Sequence, residues 1–510
     1  MNSAAAASEP SEAPQRNRRV HLPAAHISQL HRLKPLDLGR MDQICQHCGA
    51  KHWKDEIAAS STKSNPFYNT CCKAGSAKLE PLNEPPEFLK ALYTDLSPVA
   101  KHFRENIRRY NAAFAFTSLN CNVVRPDGMG NFPFQIQGQM YHTQGPLVAN
   151  GATTPRYAQL YIYDPEIASA ARLTNNSDLN PNLIKDLTVI LHGSNPYVSI
   201  YKHAHQLLQE SESSSSNNNA NNDTYFRIGS DLKLELIEGS DRRTENLPTT
   251  NEVAAIIPIN EYALDNFRDI RIYLRNTESN HNYKSINQNH ALYMPLHYTL
   301  LFPTGDLGWH WGRQLTNGDR LTQRVFYRYR LHERDSEFPI IFYAQRLFQQ
   351  YVVDSWAICD QNKLDWFRLH QSEIRSDLYS GVQDALIGDD VDVSALGRRF
   401  VLPSSYHGGA RFMARQYHDS MAIVRYYGKP AYFITFTANP RWKEIERELK
   451  PGQSASDRPD LVARVFDLKV KELLNDLRYK NIFGPYKGLV RTIEYQKRGL
   501  PHLHLLLFLD

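Results

Sequence analysis

Hydrophobic and polar positions change period several times along the chain, and each change marks a candidate element. Residues 85–119, PPEFLKALYTDLSPVAKHFRENIRRYNAAFAFTSL, carry apolar side chains at helical spacing and predict helices. Strand-like runs follow at FPFQIQGQMYH (132–142) and YAQLYIYD (157–164), and later at DLKLELIEG (231–239) and DIRIYLR (269–275). Helical periodicity returns over 321–386 and again in SSYHGGARFMARQYHDSMAIVRYYG, after a Gly-Gly turn. In AYFITFTANP (431–440) the period is two, so Tyr432, Ile434 and Phe436 oppose Phe433, Thr435 and Thr437. PRWKEIERELK starts a short helix and LVARVFDLKVKELLNDLRYKNIF a strongly amphipathic one. GLVRTIEYQ, a KRGLP turn and HLHLLLFLD then read as two strands paired in a hairpin. The strands at 431–437, 488–496 and 502–509 are expected to be neighbours in one antiparallel sheet.

The pattern predicts an α+β fold: a C-terminal antiparallel sheet with packed helices, preceded by a mixed α/β region and a small cysteine-bearing module. The expected organisation is a tail over 1–40, a zinc-finger-like module over 41–90 and a mixed helix and strand region over 91–320. A helical segment at 321–399 and a final domain at 400–510 complete it. SESSSSNNNANNDT, 211–224, is a low-complexity insertion. The aromatic tract YMPLHYTLLFPTGDLGWHWG, 293–312, suits a packed loop and core, with base stacking as the alternative.

Composition narrows the class. With 41% hydrophobic and 22% charged residues, the chain has the make-up of an ordinary globular protein. No run approaches the roughly 18 apolar residues that a membrane span requires, so no membrane partner is expected. The net charge is a mild +5. Residues 401–510 hold 18 Lys and Arg against 11 Asp and Glu, an excess of +7 that permits nucleic-acid binding. Arg16, Arg18 and Arg19 form a short basic cluster of the nuclear-import kind. There is no Gly-x-x-x-x-Gly-Lys-Ser/Thr phosphate loop, and hence no expectation of a motor that unwinds DNA.

Two sets of residues carry candidate chemistry. His502 and His504 share one strand face while Leu503 points the other way, which makes half of a divalent metal site. Partly buried, hydrogen-bonded histidines would show the same pattern. Glu494 and Gln496 share a face of the preceding strand, and either could supply an oxygen donor; the plainer readings are a surface salt bridge and an edge hydrogen bond. Two imidazoles and an oxygen suit Mg²⁺ or Mn²⁺ acting on a phosphate, with zinc a further candidate. Cys45-x-x-Cys48 is a zinc half-site, and Cys71 and Cys72 follow 23 residues on. Vicinal cysteines rarely both ligate one ion, so His47 or His52 is an alternative fourth ligand; a reduced, buried cluster is the competing reading.

The ordered series YHTQGPL, PRYAQLYIYD, LLFPTGDLGWHWG, FYRYRLHER, LPSSYHGGARFM, FITFTANPRWKEI and EYQKRGLPHLHLLLF resembles the replication-initiator region of Helitron transposases, the Helitron helicase-like domain family. The resemblance runs from about residue 141 to the end and implies a rolling-circle nuclease of the histidine–hydrophobe–histidine type, in a truncated form. It implies that His502 and His504 are its metal pair, with Glu494 or Gln496 as oxygen donor. It also implies that Thr435, Thr437 and Asn439 line a DNA-facing site; a strand-end hydrogen bond or a helix cap is the plainer role for each. The implied partners are single-stranded DNA or transposon ends, the implied location is the nucleus, and the cysteines would form a structural zinc module. Family members use two tyrosines on a helix C-terminal to the histidines. The chain ends at Asp510, six residues after His504, so the expectation is an N-terminal fragment without that nucleophile and with one sheet face under-covered. Tyr495 points to the opposite face and is a poor substitute. The competing expectation is a catalytically silent DNA-binding protein, domesticated or remnant; a metal-dependent hydrolase of small phosphates is weaker, because nothing outlines a pocket.

Overall fold

The computed structural model describes residues 35–62, 66–124, 135–143, 160–161, 163–199, 202, 270–273, 283–286, 288–371, 402–496 and 499–510. The basic cluster at 16–19, the low-complexity insertion and the run 231–239 lie outside them. The chain divides into two compact units, one of residues 37–403 with 439–465, the other of 1–36, 404–438 and 466–510.

The larger unit is a mixed α/β region with short antiparallel pairs. β1 (Gln43–Ile44) pairs with β2 (Lys51–His52), and α1 (Asn69–Cys72) follows. α2 (Glu87–Thr94), α3 (Pro98–Glu105) and α4 (Ile107–Phe114) form where the helical period runs. Ser97 caps α3 by accepting from the Ala100 amide, and Pro98 occupies the first turn, where its missing N–H costs nothing. β3 (Ser118–Val124) pairs antiparallel with β4 (Gln135–Thr143). α5 (Pro165–Asn175) and α6 (Pro181–Ser194) come next, Asn180 capping α6 ahead of a first-turn proline. β5 (Ile270–Tyr273) pairs with β6 (Tyr283–Ile286), and then come α7 (Tyr293–His297), α8 (Gln323–Arg330), α9 (Ile340–Tyr343) and α10 (Gln345–Leu369). The strand expected over 157–164 is not seen in its described part. Leu160 and Tyr161 lie in a helical turn, where Tyr161 stacks on Phe116 at 4.1 Å; core packing of the ring overrides the alternation of the run.

One hydrophobic core runs from Cys45, Cys71 and Cys72 through α2–α4, α6 and the 293–302 tract to Phe348 and Ile358 of α10. The aromatic tract is therefore core: Tyr293, Tyr298, Phe302 and Trp309 are all buried. Its backbone is held by buried side chains, Asn111 bonding both the His297 carbonyl and the Leu300 amide, and Tyr93 donating to the Leu300 carbonyl. Among the described residues no helix is long and apolar enough to cross a membrane.

The smaller unit is built on a three-stranded antiparallel sheet. α11 (Ala410–Tyr427), β7 (Tyr432–Thr437), α12 (Pro459–Arg478), β8 (Tyr486–Tyr495) and β9 (Pro501–Leu509) appear in that order, with residues 466–478 of α12 belonging to this unit. The strand order is β7-β9-β8, so the histidine strand is central. Leu503, Leu505 and Leu507 are fully buried on one face, which half-buried Phe436 shares, its ring stacking on Phe466 of α12 at 5.7 Å. On the other face Phe433, Thr435, Thr437, Thr492 and Glu494 are exposed. Tyr427 of α11 packs at its far end, against Phe508 and over Gly488, where an added Cβ would come within 3.1 Å of the tyrosine ring. α11 buries none of its own residues.

Candidate metal centres

The register of the sheet assembles the first centre. Glu494 lies opposite His502 across β8–β9, and Thr437 lies opposite His502 across β7–β9. Residues directly opposite share a face, as do residues two apart in one strand, so Glu494, Thr437, His502 and His504 meet on the open side. His504 Nε2 is 2.8 Å from Glu494 Oε1, and His502 Nδ1 is 2.5 Å from Thr437 Oγ1. The two imidazoles stand 4.5 Å apart at 78°, and Phe433 stacks on His504 at 5.6 Å and 9°. The donor atoms of Glu494, His502 and His504 all lie within 4.8 Å of one another. His502 is nearly buried, His504 half-buried and Glu494 exposed, which gives a site with a fixed wall and an open mouth. The hydrogen bond to His504 holds the Glu494 carboxyl below its usual range. Two imidazoles and one carboxylate fit a divalent cation of the Mn²⁺, Fe²⁺ or Zn²⁺ type, and a carboxylate with open positions also suits Mg²⁺.

Local sequence explains the placement. Pro501 starts β9, where its missing N–H breaks no ladder bond, and its carbonyl accepts from the Ala438 amide at 3.0 Å. Gly499, at φ +76°, lets the turn close with its amide donating to the Gln496 carbonyl. Gln496 itself lies past the end of β8 in that turn, exposed, with its amide bonded to the Leu500 carbonyl. Thr435 is exposed on the histidine face. Asn439 accepts from the Arg441 amide at 2.9 Å and shapes the turn before Trp442. Tyr495 lies one residue out of phase with Glu494 and so on the reverse face, exposed.

The second centre lies in the larger unit. The sulphurs of Cys45, Cys48, Cys71 and Cys72 are also mutually within 4.8 Å, with Cys45–Cys72 at 3.8 Å and Cys71–Cys72 at 3.7 Å. Both vicinal cysteines therefore join the cluster, as the four-cysteine reading expects, and neither His47 nor His52, the alternative fourth ligands, belongs to it. His52 instead bonds Glu56 at 3.0 Å and stacks on Tyr68, and His47 packs against Gly75. In the turn out of α1, Lys73, Ala74 and Gly75 all have φ between 52° and 86°, and the Gly75 amide reaches Cys72 Sγ at 3.2 Å. The Cys45–Cys48 turn closes in the same way, the Gly49 amide donating to the Cys45 carbonyl. Buried Arg334 donates to Cys48 Sγ at 3.4 Å and to the Cys48 carbonyl at 2.9 Å. The Cys48 thiol is drawn far below its ordinary value by hydrogen bonds from Cys45, Cys71 and Cys72, with the Arg334 charge adding to them. Cys71 is pushed up by its contacts with Cys45 and Cys48. Four sulphurs around one point are the donor set of structural zinc.

The first of these centres lies within a stretch that matches a known family. Residues 326–507 match the Helitron helicase-like domain at N-terminus. The Helitron match takes in α8 to β9 and includes Arg334, Thr437, Glu494, His502 and His504, while the four cysteines precede it. No curated protein matches the chain. Within the Helitron region, periodicity alone could not find the Thr437–His502 bond, because it depends on a register between strands 65 residues apart. Arg334 stands in the FYRYRLHER motif, but only the fold brings it to a cysteine 286 residues away.

Proposed function

We propose that this chain supplies the metal-binding and single-stranded DNA-binding part of a Helitron-type rolling-circle strand-nicking system, on a sheet of the histidine–hydrophobe–histidine nuclease kind, with transposon ends as its DNA. The observation that supports this is the convergence of Glu494, His502 and His504 on an open sheet face inside the matched region. A divalent cation held there would polarise a DNA phosphate and offset charge on the leaving oxygen. Phe433, exposed beside His504, and the threonine row give the strand an apolar and hydrogen-bonding floor. The attacking group is not Tyr495, which projects from the reverse face. The cysteine cluster is a structural zinc site by this reading, and nuclear work on DNA accords with the basic cluster near the N-terminus.

Titration calorimetry with Mn²⁺ and anisotropy with a labelled single-stranded oligonucleotide test the reading. The expected result is a Mn²⁺ site lost in His502→Ala, and DNA affinity that falls steeply as salt rises. Unchanged Mn²⁺ affinity in His502→Ala refutes the metal assignment. The second reading, DNA binding without chemistry, is favoured by the reverse-facing Tyr495. It predicts no protein–DNA band that survives denaturing electrophoresis after incubation with Mn²⁺; such a band, lost in Tyr495→Phe, would overturn the account of that tyrosine.

A further inference from the structure

We propose that Thr437 is the positioning residue of His502: its hydroxyl oxygen accepts the Nδ1–H of the imidazole and thereby leaves the Nε2 lone pair for the cation. The proposal rests on the reading of Glu494, His502 and His504 as a metal centre, and adds how one of its ligands is set.

A neutral imidazole has one N–H and one lone pair, and only the lone pair can hold a metal. The nitrogen facing away from the metal must then carry the proton and find an acceptor, which also stops the ring from turning. In this sheet that nitrogen is Nδ1, 2.5 Å from Thr437 Oγ1. His502 is only 9% exposed, so water is poorly placed to replace this partner. The threonine cannot drift, because it lies directly opposite His502 in the register and the next backbone bond, Ala438 N–H to the Pro501 carbonyl, is 3.0 Å. Thr437 is itself exposed, so its hydroxyl hydrogen is free to point to solvent while the oxygen accepts. The reverse polarity, with the hydroxyl donating to Nδ1, would put the proton on Nε2 and close the ligand position. His504 differs: its Nε2 faces the Glu494 carboxylate at 2.8 Å, so this nitrogen and that oxygen are the pair a cation would share.

The test compares Thr437→Val and Thr437→Ser in the full chain. Mn²⁺ affinity is read by calorimetry, and the His502 tautomer by long-range ¹H–¹⁵N correlation on histidine-labelled protein. Valine keeps the branched shape that strands favour and loses the acceptor, whereas serine keeps the acceptor and loses the branch. Thr437→Val should bind Mn²⁺ about tenfold to a hundredfold more weakly, in the range that such outer-shell partners contribute. Thr437→Ser should stay close to the parent. A merely structural threonine would give the opposite order. The parent and serine proteins should show the Nδ1–H form of His502, and the valine protein should lose that preference. Equal Mn²⁺ affinity in Thr437→Val and parent, or equal losses in both variants, overturns the proposal. If the parent binds no Mn²⁺ the metal reading fails, and the tautomer still decides this one: an Nε2–H form in the parent overturns it, and an Nδ1–H form that Thr437→Val abolishes upholds it.

Discussion

Replacing Glu56 by glutamine should remove a large, pH-dependent share of the larger unit's stability. Glu56 is nine-tenths buried and accepts from Arg464 Nε at 2.7 Å, Arg464 Nη2 at 2.5 Å, His52 Nδ1 at 3.0 Å and the Trp53 amide at 3.1 Å. Burial alone would raise its pKa, but the bonds from Arg464 and His52 win and draw it from 4.5 to about 2. That displacement corresponds to about 3 kcal/mol of folding free energy at 1.36 kcal/mol per unit. Because the folded carboxyl titrates lower than the unfolded one, the unfolded chain takes up the proton first. The contribution is whole above about pH 5 and fades as the pH falls towards 2. Glutamine would also aim an N–H₂ group at donors and leave the Arg464 charge unpaired, so the loss near neutrality should be about 3–5 kcal/mol. Urea unfolding of the full chain at several pH values, followed by tryptophan fluorescence and helped by Trp53 under the Arg464 guanidinium, measures both effects. Parent protein should lose stability between pH 5 and 3, and Glu56→Gln should lose less over that window. Parallel pH curves for the two proteins would refute the argument.

Cys48→Ser should abolish binding of one equivalent of zinc by elemental analysis and lower the melting temperature, since such a site's binding energy is folding energy; full zinc occupancy in the variant would contradict the four-sulphur site. Leu505→Ala, at a fully buried position in the central strand, should cost about 2–5 kcal/mol by leaving a cavity, measured by chemical denaturation. A cost below 1 kcal/mol there would mean that the leucine face of the sheet is not the core described.

Much of the sheet was legible because its two faces differ chemically. Alternation in 432–437 separates Ile434 and Phe436 from Thr435 and Thr437, and the Leu503–Leu505–Leu507 series marks the buried side of β9. The hairpin between β8 and β9 followed from a short turn containing Gly499. It did not follow that β9 would be the middle strand, because a hairpin names one neighbour and leaves the second edge open. The cysteine geometry was hidden for a different reason. Lys73 and Ala74 adopt a left-handed backbone that nothing in their side chains advertises, and the turn they begin brings the Gly75 amide to Cys72 Sγ. Tyr161 was misplaced because a ring's burial against Phe116 outweighs a two-residue period.

The strand order also sets the sequence of events by which the site comes into being. β8 and β9 are joined by a tight turn, and a hairpin of this kind closes in about 1–10 μs. It carries Glu494, His502 and His504 together, so the three donors meet early. β7 must wait for a contact across the whole of α12, since Phe433 pairs with Leu506 and Thr437 with His502. Closure over that span is slower and entropically dearer. An assembling chain would thus bring its three candidate cation ligands together before the threonine that bonds His502 arrives. During synthesis β7 emerges with both edges bare, and it gains its partner only when residues 501–509 have been made.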